Sequence, residues 1–181
     1  MNRFFAMSLI VPFACAAATW AADVTLDGLK SKTPDTWKTQ EPSNKMRAYQ
    51  FALPKAKDDD ADGELVISFF GAGSGGKLAD NLSRWKTMIQ PPEGKTADDI
   101  SKITKIELPK AKLTCLDMTG TFLSKFPPFD PNAKVTKKPN YRRIGVYFDC
   151  DNGPYFITLV GPAATIEQHK EGFDNWLKNF K

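Results

Sequence analysis

The sequence predicts an α+β fold, a mainly antiparallel sheet of about six to seven strands covered by two amphipathic helices. Most of the chain consists of short apolar runs, several of them with the period of two that is typical of strands. Two segments instead carry apolar residues at helical spacing. Hairpin signals between strands, of which Asn152-Gly153 is the strongest, favour antiparallel pairing.

Each element follows from its local pattern. The first helix is expected within residues 77–90, where apolar residues share one face until Pro91 ends it. The second runs from Thr165 to the C-terminus, with Thr165 as its cap and Gln168 as the capping-box partner. Residues 22–43 are expected to be mostly irregular. Strands are expected at residues 37–39, 46–53, 64–70, 103–108, 113–122, 141–149 and 155–160.

The N-terminal residues have the order of a secretory signal peptide: basic Arg3, an apolar run, then small residues around a cleavage point. We therefore predict a signal peptide at residues 1–21 and a single domain at 22–181. The alternative is a retained membrane anchor, but the run is shorter than the roughly 20 residues that span a bilayer. The chain is expected to be periplasmic or secreted, with no transmembrane segment once the signal is removed.

The order of elements resembles the Mog1/PsbP-like fold group. The resemblance lies in Thr33-Pro34-Asp35-Thr36-Trp37, in the hairpin of residues 46–70, and in the closing amphipathic helix. The chain also resembles a family of exported bacterial proteins that share Tyr141-Arg142-Arg143-Ile144-Gly145 and Gly153-Pro154-Tyr155-Phe156. The resemblance implies a sandwich of this type and a small accessory or partner-binding role without catalysis.

A glycine-rich segment at residues 71–77 lies between a predicted strand and a predicted helix. It matches the first part of the dinucleotide motif, the P-loop and the nucleophile elbow. Each match stops early: no βαβ unit follows, and Leu78 stands where a P-loop needs Ser or Thr. The segment is therefore either a connection or an anion site at the start of the helix. The candidate anion-binding residues are Gly73, Ser74, Gly75, Gly76 and Lys77.

A hydrolase would need a base beside a nucleophilic serine, and His169 is the one histidine of the chain that could serve Ser74. Hydrolases with such an elbow alternate strands with several helices, and this chain does not. This reaction is a distant alternative, and we predict neither catalytic residues nor a cofactor.

An acidic turn at residues 58–63 reproduces the first half of a calcium loop, in which alternate carboxylates converge on one cation. Phe69 occupies the twelfth position, where such a loop places a bidentate glutamate. The segment is either a solvated turn or a weak calcium site. The candidate metal ligands are Asp58, Asp60 and Asp62.

The longest predicted loop, residues 124–140, is rich in proline and lysine. Loops of this length in compact domains are often functional. Two interpretations are open: Phe side chains on a stiffened, basic loop suit a protein partner, or both Phe rings fold back over the sheet edge. The candidate partner-binding residues are Phe126, Phe129, Lys137, Lys138, Arg142 and Arg143.

Two cysteines, Cys115 and Cys150, remain after removal of the signal. An oxidising compartment favours a disulfide, and both residues lie at the same end of two strands that we expect to pair. Alternation, however, places Cys115 on the face opposite to Leu116 and Cys150. A possible disulfide and two separate thiols both remain open.

These patterns together favour a non-catalytic, exported domain that binds a protein partner. The alternative is a module that binds a small ligand, an anion or calcium. The net charge of +4 is small and its signs are well mixed, so a nucleic-acid partner is not expected.

Overall fold

The computed structural model describes residues 21–126 and 132–181 of the chain. Two helices, α1 (Leu78–Lys86) and α2 (Ala163–Lys178), accompany the strands. The strands are β1 (Asp23–Leu26), β2 (Leu29–Lys32), β3 (Lys38–Gln40), β4 (Arg47–Leu53), β5 (Gly63–Phe69), β6 (Ile89–Gln90), β7 (Ser101–Leu108), β8 (Ala111–Phe126), β9 (Lys134–Cys150) and β10 (Tyr155–Pro162).

Eight of these strands form one sheet in the order β3-β4-β5-β10-β9-β8-β6, and β7 pairs with β8 on the same edge as β6. Strands β1 and β2 form a separate hairpin. All described pairings are antiparallel. The α+β class, with a mostly antiparallel sheet of many strands and two helices, is therefore confirmed.

The strand number differs from the six to seven expected. The β1–β2 hairpin occupies the segment predicted to be irregular, and β6 occupies the end of the predicted first helix. These strands have only two to four residues, too few for a period of two to stand out. Among the described residues, no helix is long and apolar enough to cross a membrane.

The prediction of a loop at residues 124–140 is wrong, because most of the described residues in this range continue β8 and β9 as a hairpin. Gly120 pairs with Tyr141 and Phe122 pairs with Lys138, so β9 carries one extra residue between these pairs. The bulge contains Asn140, whose φ is +54°. A bulge of this kind bends a strand without ending it, so proline and asparagine here do not mark a loop. We call residues 120–126 and 132–141 the basic arm.

One face of the sheet, which we call the α2 face, carries the main core. Phe173 and Trp176 of α2 pack there with Trp37, and the rings of Trp37 and Trp176 lie edge to face with centroids 5.6 Å apart. Phe148 of β9 meets Phe180 at 5.2 Å. All five rings are at least 98% buried. Burial of each large apolar side chain contributes about 1.5–3 kcal/mol, so this face supplies much of the stability.

The opposite face, the α1 face, carries a smaller core. Trp85 of α1 packs there with Leu116 and Met118 of β8 and Phe156 of β10. Alternation along β10 explains the division, since Phe156 faces α1 whereas Ile157 belongs to the other core.

Candidate functional site

The basic arm extends beyond the paired part of the sheet. Among the described residues, β10 pairs with β9 only as far as Tyr141, so the outer edge of β9 beyond it faces no strand. Val135 is 41% exposed. The arm's described residues contain no Asp or Glu and include Lys125, Lys134, Lys137 and Lys138.

Aromatic contacts hold the base of the arm. The rings of Phe122 and Tyr141 stack with centroids 6.2 Å apart, and Lys138 Nζ lies 5.4 Å from the Tyr141 ring. Of the two phenylalanines predicted to contact a partner, Phe126 is the last residue of β8 and Phe129 lies outside the described residues.

A cleft of about 440 Å³ separates the arm from the acidic turn, with Asp58 and Asp60 on one side and Lys137 and Lys138 on the other. Burial raises the pKa of Tyr141, with a further contribution from Asp60 and Asp59. The acidic turn thus offsets the charge at the base of the arm, while Lys125 and Lys134 lie outside this cleft.

Arg142, predicted to belong to the partner-binding surface, is half-buried and is held by two carboxylates. Its Nε and Nη2 donate to Asp117 at 2.8 and 2.6 Å, and its Nη1 donates to Glu167 of α2. These bonds, chiefly the one with Asp117, raise the pKa of Arg142. The cluster lines a groove of about 440 Å³ between β7 and α2. Arg142 therefore links the sheet to α2.

Arg143, also predicted to belong to the partner-binding surface, is 5% exposed on the α1 face. Its Nη2 donates to Thr158 Oγ1 at 3.1 Å, and its guanidinium lies 5.2 Å from the Trp85 ring. A side chain on Gly145 would approach Arg143 Nη1 and the Trp85 ring to 2.7 Å, so only glycine leaves room for both. Arg143 therefore does not form part of an open docking surface.

The acidic turn has a structural role that the sequence did not reveal. Asp59 accepts hydrogen bonds from the N–H and the hydroxyl of Thr165, at 2.8 and 2.6 Å. Asp62 accepts one from the Lys55 N–H at 2.9 Å. Thr165 is therefore not the cap of α2 but a residue of its first turn, and Asp59 supplies the cap from a distant segment.

The three predicted calcium ligands do not form a cluster. Across residues 21–126 and 132–181, no group of three or more His, Cys, Asp or Glu side chains is arranged to hold a metal ion. Asp62 is directed to the Lys55 backbone N–H, and Asp58 and Asp60 face the cleft beside the basic arm. Hydrogen bonding within the turn thus separates the carboxylates that the alternation had placed together.

The glycine-rich segment is an exposed connection between β5 and α1. Positive φ angles occur at four of its glycines, and Gly75 approaches the Phe156 ring so closely that an added Cβ would lie 2.5 Å from it. The Asn81 amide donates to the carbonyls of Gly75 and Lys77. The proposed anion site at Gly73, Ser74, Gly75, Gly76 and Lys77 remains a prediction.

Ser74 and His169 do not form the pair that a hydrolase needs. His169 is 7% exposed, and its Nε2 lies 2.9 Å from the carbonyl oxygen of Pro54. It belongs to α2, on the α2 face, whereas the Ser74 segment packs on Phe156 of the α1 face. The sheet therefore separates the two residues.

Cys115 and Cys150 are free thiols on the same face of the sheet. Cys115 lies on the face opposite to Leu116, as alternation predicted, but the prediction that it lies opposite to Cys150 was wrong. Because β8 is apolar on both faces, alternation could not show which of them Cys150 shares. Cys115 pairs with Val146 and Cys150 pairs with Ala111, four positions apart along the ladder. That offset is about 13 Å, well beyond the reach of a disulfide.

Several residues that organise these sites were missed. Asp117 lies within the otherwise apolar run Leu116-Asp117-Met118, and a carboxylate in such a run indicates a buried partner. Arg84, whose Nη2 donates to Asn81 Oδ1 at 2.7 Å, and Thr158 carried no such signal.

No protein-family model matches this chain, and no curated protein matches it. Among solved structures, the chain is similar to the protein of unknown function PA94 from Pseudomonas aeruginosa, with 15% sequence identity and a TM-score of 0.42. That match covers 87% of this chain and 94% of the other. The function of the chain therefore has to be inferred from its own residues.

Proposed function

We propose that the chain is an exported, non-catalytic accessory domain whose basic arm binds an acidic surface of a protein partner. The observation that carries this proposal is the charge of the arm, whose described residues include four lysines and no carboxylate. Lys125 and Lys134 are exposed and lie outside the cleft that faces the acidic turn, so their charges are available to a partner. Complementary charge of this kind speeds association and selects the partner.

The backbone of the arm supports the same interpretation. Within the described chain, β6 pairs with β8 only at Thr121 and Phe122, and the Leu123 N–H bonds to the Met88 carbonyl. Beyond these residues the outer edges of the arm carry main-chain groups that a partner strand could pair with. Charge would then select the partner, and strand pairing would add affinity.

The N-terminal pattern at residues 1–21 supports export, to the periplasm or out of the cell. We further propose that the domain is a Mog1/PsbP-like sandwich, in which the sheet lies between α1 and α2. The support is the order of elements, and the group's accessory proteins make a binding role the natural expectation. Fractionation of cells that express the chain with and without residues 1–21 tests export. The form that has these residues should be exported, and the form that lacks them should stay in the cytoplasm.

The docking proposal is tested by photo-crosslinking in the native host. A photoreactive amino acid replaces Thr136 in the arm or, as the control, Thr39 in the short edge strand β3. We expect the Thr136 probe to capture one main protein of low pI, and the capture to fall steeply with added salt because exposed charges are screened. Equal capture from both positions would contradict the proposal.

A charge-matched pair of variants sharpens the test. The arm variant changes Lys125, Lys134, Lys137 and Lys138 to Gln. The control variant makes the same four changes at exposed lysines elsewhere, namely Lys30, Lys32, Lys38 and Lys45. Binding to the captured partner should weaken at least tenfold in the arm variant and little in the control. Equal weakening of both would show that overall charge, and not the arm, governs binding.

A further inference from the structure

The described chain contains four arginines, and they fall into two classes. Arg47 and Arg142 each form an ion pair, with Glu64 and with Asp117 and Glu167 respectively. The other two, Arg84 and Arg143, form no ion pair within the described chain and bond only to neutral acceptors. These acceptors are Asn81 Oδ1 for Arg84 and Thr158 Oγ1 for Arg143.

Arg84 and Arg143 both lie on the α1 side of the sheet. Both flank Trp85, one as its neighbour in α1 and the other against its ring. Burial, together with repulsion from Arg84, lowers the pKa of Arg143 to about 9. The guanidinium therefore stays charged at neutral pH although it is almost wholly enclosed.

No carboxylate of the described chain compensates this charge. Arg143 pairs with Val160 of β10, and Val160 pairs with Glu64 of β5. Glu64 is therefore the acidic residue in line with Arg143 across the sheet, two strands away. Glu64 already accepts hydrogen bonds from Arg47 and Gln50, at 2.8 and 3.0 Å. A buried charge without a partner is costly, so the arrangement is favourable only when something else supplies the negative charge.

The guanidinium of Arg143 still has donors to offer. One described hydrogen bond uses a single N–H of its five. No other acceptor of the described chain bonds to this guanidinium, so its remaining N–H groups are free to bind a ligand at the 5% of the residue that is exposed. The side chain of Arg84, one residue before Trp85 in α1, is exposed and is fixed by Asn81.

We propose that Arg84 and Arg143 form a binding site for an oxyanion, a phosphate or carboxylate group of a ligand. A planar guanidinium group can donate to two oxygens of such an anion. An anion bound by both guanidinium groups would also reduce the repulsion between their positive charges. Thr158 and Asn81 orient the two side chains, and Trp85 holds Arg143 in place. The site lies on the face opposite α2 and does not depend on the basic arm or on the proposed function.

The test is titration of the purified domain with inorganic phosphate and with acetate, at constant ionic strength set by chloride. Calorimetry gives the dissociation constant, and thermal unfolding gives an independent readout because an anion that binds only the folded state raises Tm. At a concentration tenfold above Kd we expect a rise of about 4 °C. Tighter binding of phosphate assigns the site to phosphate groups, and tighter binding of acetate assigns it to carboxylates.

Three variants make the test specific. Arg84→Gln, at an exposed position, should weaken binding about tenfold, which corresponds to one lost charge-assisted contact. Arg143→Met should abolish binding and raise Tm in chloride buffer, since it removes an uncompensated buried charge. Lys86→Gln, on the same helix but paired with Asp98, should leave the constant within twofold.

Two results would overturn the proposal. The first is the absence of any response to phosphate and acetate in the unmodified domain. The second is an Arg84→Gln variant that binds as tightly as the unmodified domain, and this outcome remains decisive if Arg143→Met fails to fold. The Gln variant of the four arm lysines should bind phosphate normally, which separates this site from the docking surface.

Discussion

Arg142 and Arg143 are consecutive residues of β9, and the sheet places their side chains in two opposite environments. Arg142 lies on the α2 face, where Asp117 and Glu167 neutralise its charge. Arg143 lies on the α1 face, where its described contacts are a hydroxyl group and an indole ring. The α2 face neutralises its arginine, whereas the α1 face leaves a buried charge without a counterion among the residues that the structure describes.

The two faces also differ in packing, and the α2 face again has the larger set of internal contacts. The α2 face combines a 16-residue helix with the β1–β2 hairpin and a cluster of aromatic rings. The α1 face has a nine-residue helix and a smaller core. The face that supplies most of the buried apolar area has little freedom to carry a binding site, because each of its positions is fixed by packing. The anion site that we propose therefore lies across the sheet from the larger core.

The largest effect is expected from truncating one helix residue on each face. Phe173→Ala in α2 removes a fully buried ring and should lower the free energy of unfolding by about 4 kcal/mol. Leu82→Ala in α1 removes a half-buried side chain and should cost about 1–2 kcal/mol. Urea denaturation monitored by circular dichroism measures both. Equal losses would show that the two faces contribute alike to stability.

The second effect tests how each arginine is satisfied. Asp117→Asn keeps the shape of the side chain but removes the charge opposite Arg142, and should cost about 2 kcal/mol. Thr158→Val removes the neutral acceptor of Arg143 and should cost less than about 1 kcal/mol. Urea denaturation at neutral pH distinguishes the two values. An Asp117→Asn variant with unchanged stability would contradict the view that the α2 face depends on internal charge compensation.

The third effect tests how completely water is excluded from the core on the α2 face. Burial raises the pKa of Cys115 to about 11, above the ordinary thiol value of 9.0. The unfolded chain releases this proton first, so Cys115 costs stability as the pH rises from 9 to 11. The expected loss is about 2 kcal/mol, and Cys115→Val should remove that part of the pH dependence. Parallel curves for both proteins over this range would show that the thiol is not shielded from water.

Much of the fold could be predicted because long segments have an unambiguous period. The helical spacing around Trp85 and Trp176 and the apolar strand containing Ile67 predicted elements that the structure contains. Short strands such as β6 could not be predicted, since two residues have no period. That Cys115 lies on the same face of the sheet as Cys150 could not be predicted either, because β8 has buried residues on both faces.

The candidate sites were less predictable, because their partners come from distant segments. Nothing near Thr165 in the sequence indicates that Asp59, more than a hundred positions earlier, caps its helix. The run Arg142-Arg143 appears as one basic patch in the sequence, but alternation in a strand separates the two side chains. Only the register of β8, β9 and β10 shows which arginine meets a carboxylate.

The smallest effects compare how the two helices begin. The first turn of α2 receives the Asp59 carboxylate at the Thr165 N–H, whereas Lys77 at the start of α1 supplies no side-chain cap. Asp59→Ala should therefore cost about 1 kcal/mol. Lys77→Ser should instead stabilise by about 0.5 kcal/mol, because Lys77 has the extended backbone (φ −75°, ψ 156°) that a capping residue adopts. Thermal unfolding of the two variants gives shifts of opposite sign if the helix starts differ as described. A Lys77→Ser variant with unchanged Tm would mean that the first-turn N–H groups of α1 are already satisfied, and that the two helices begin on equal terms.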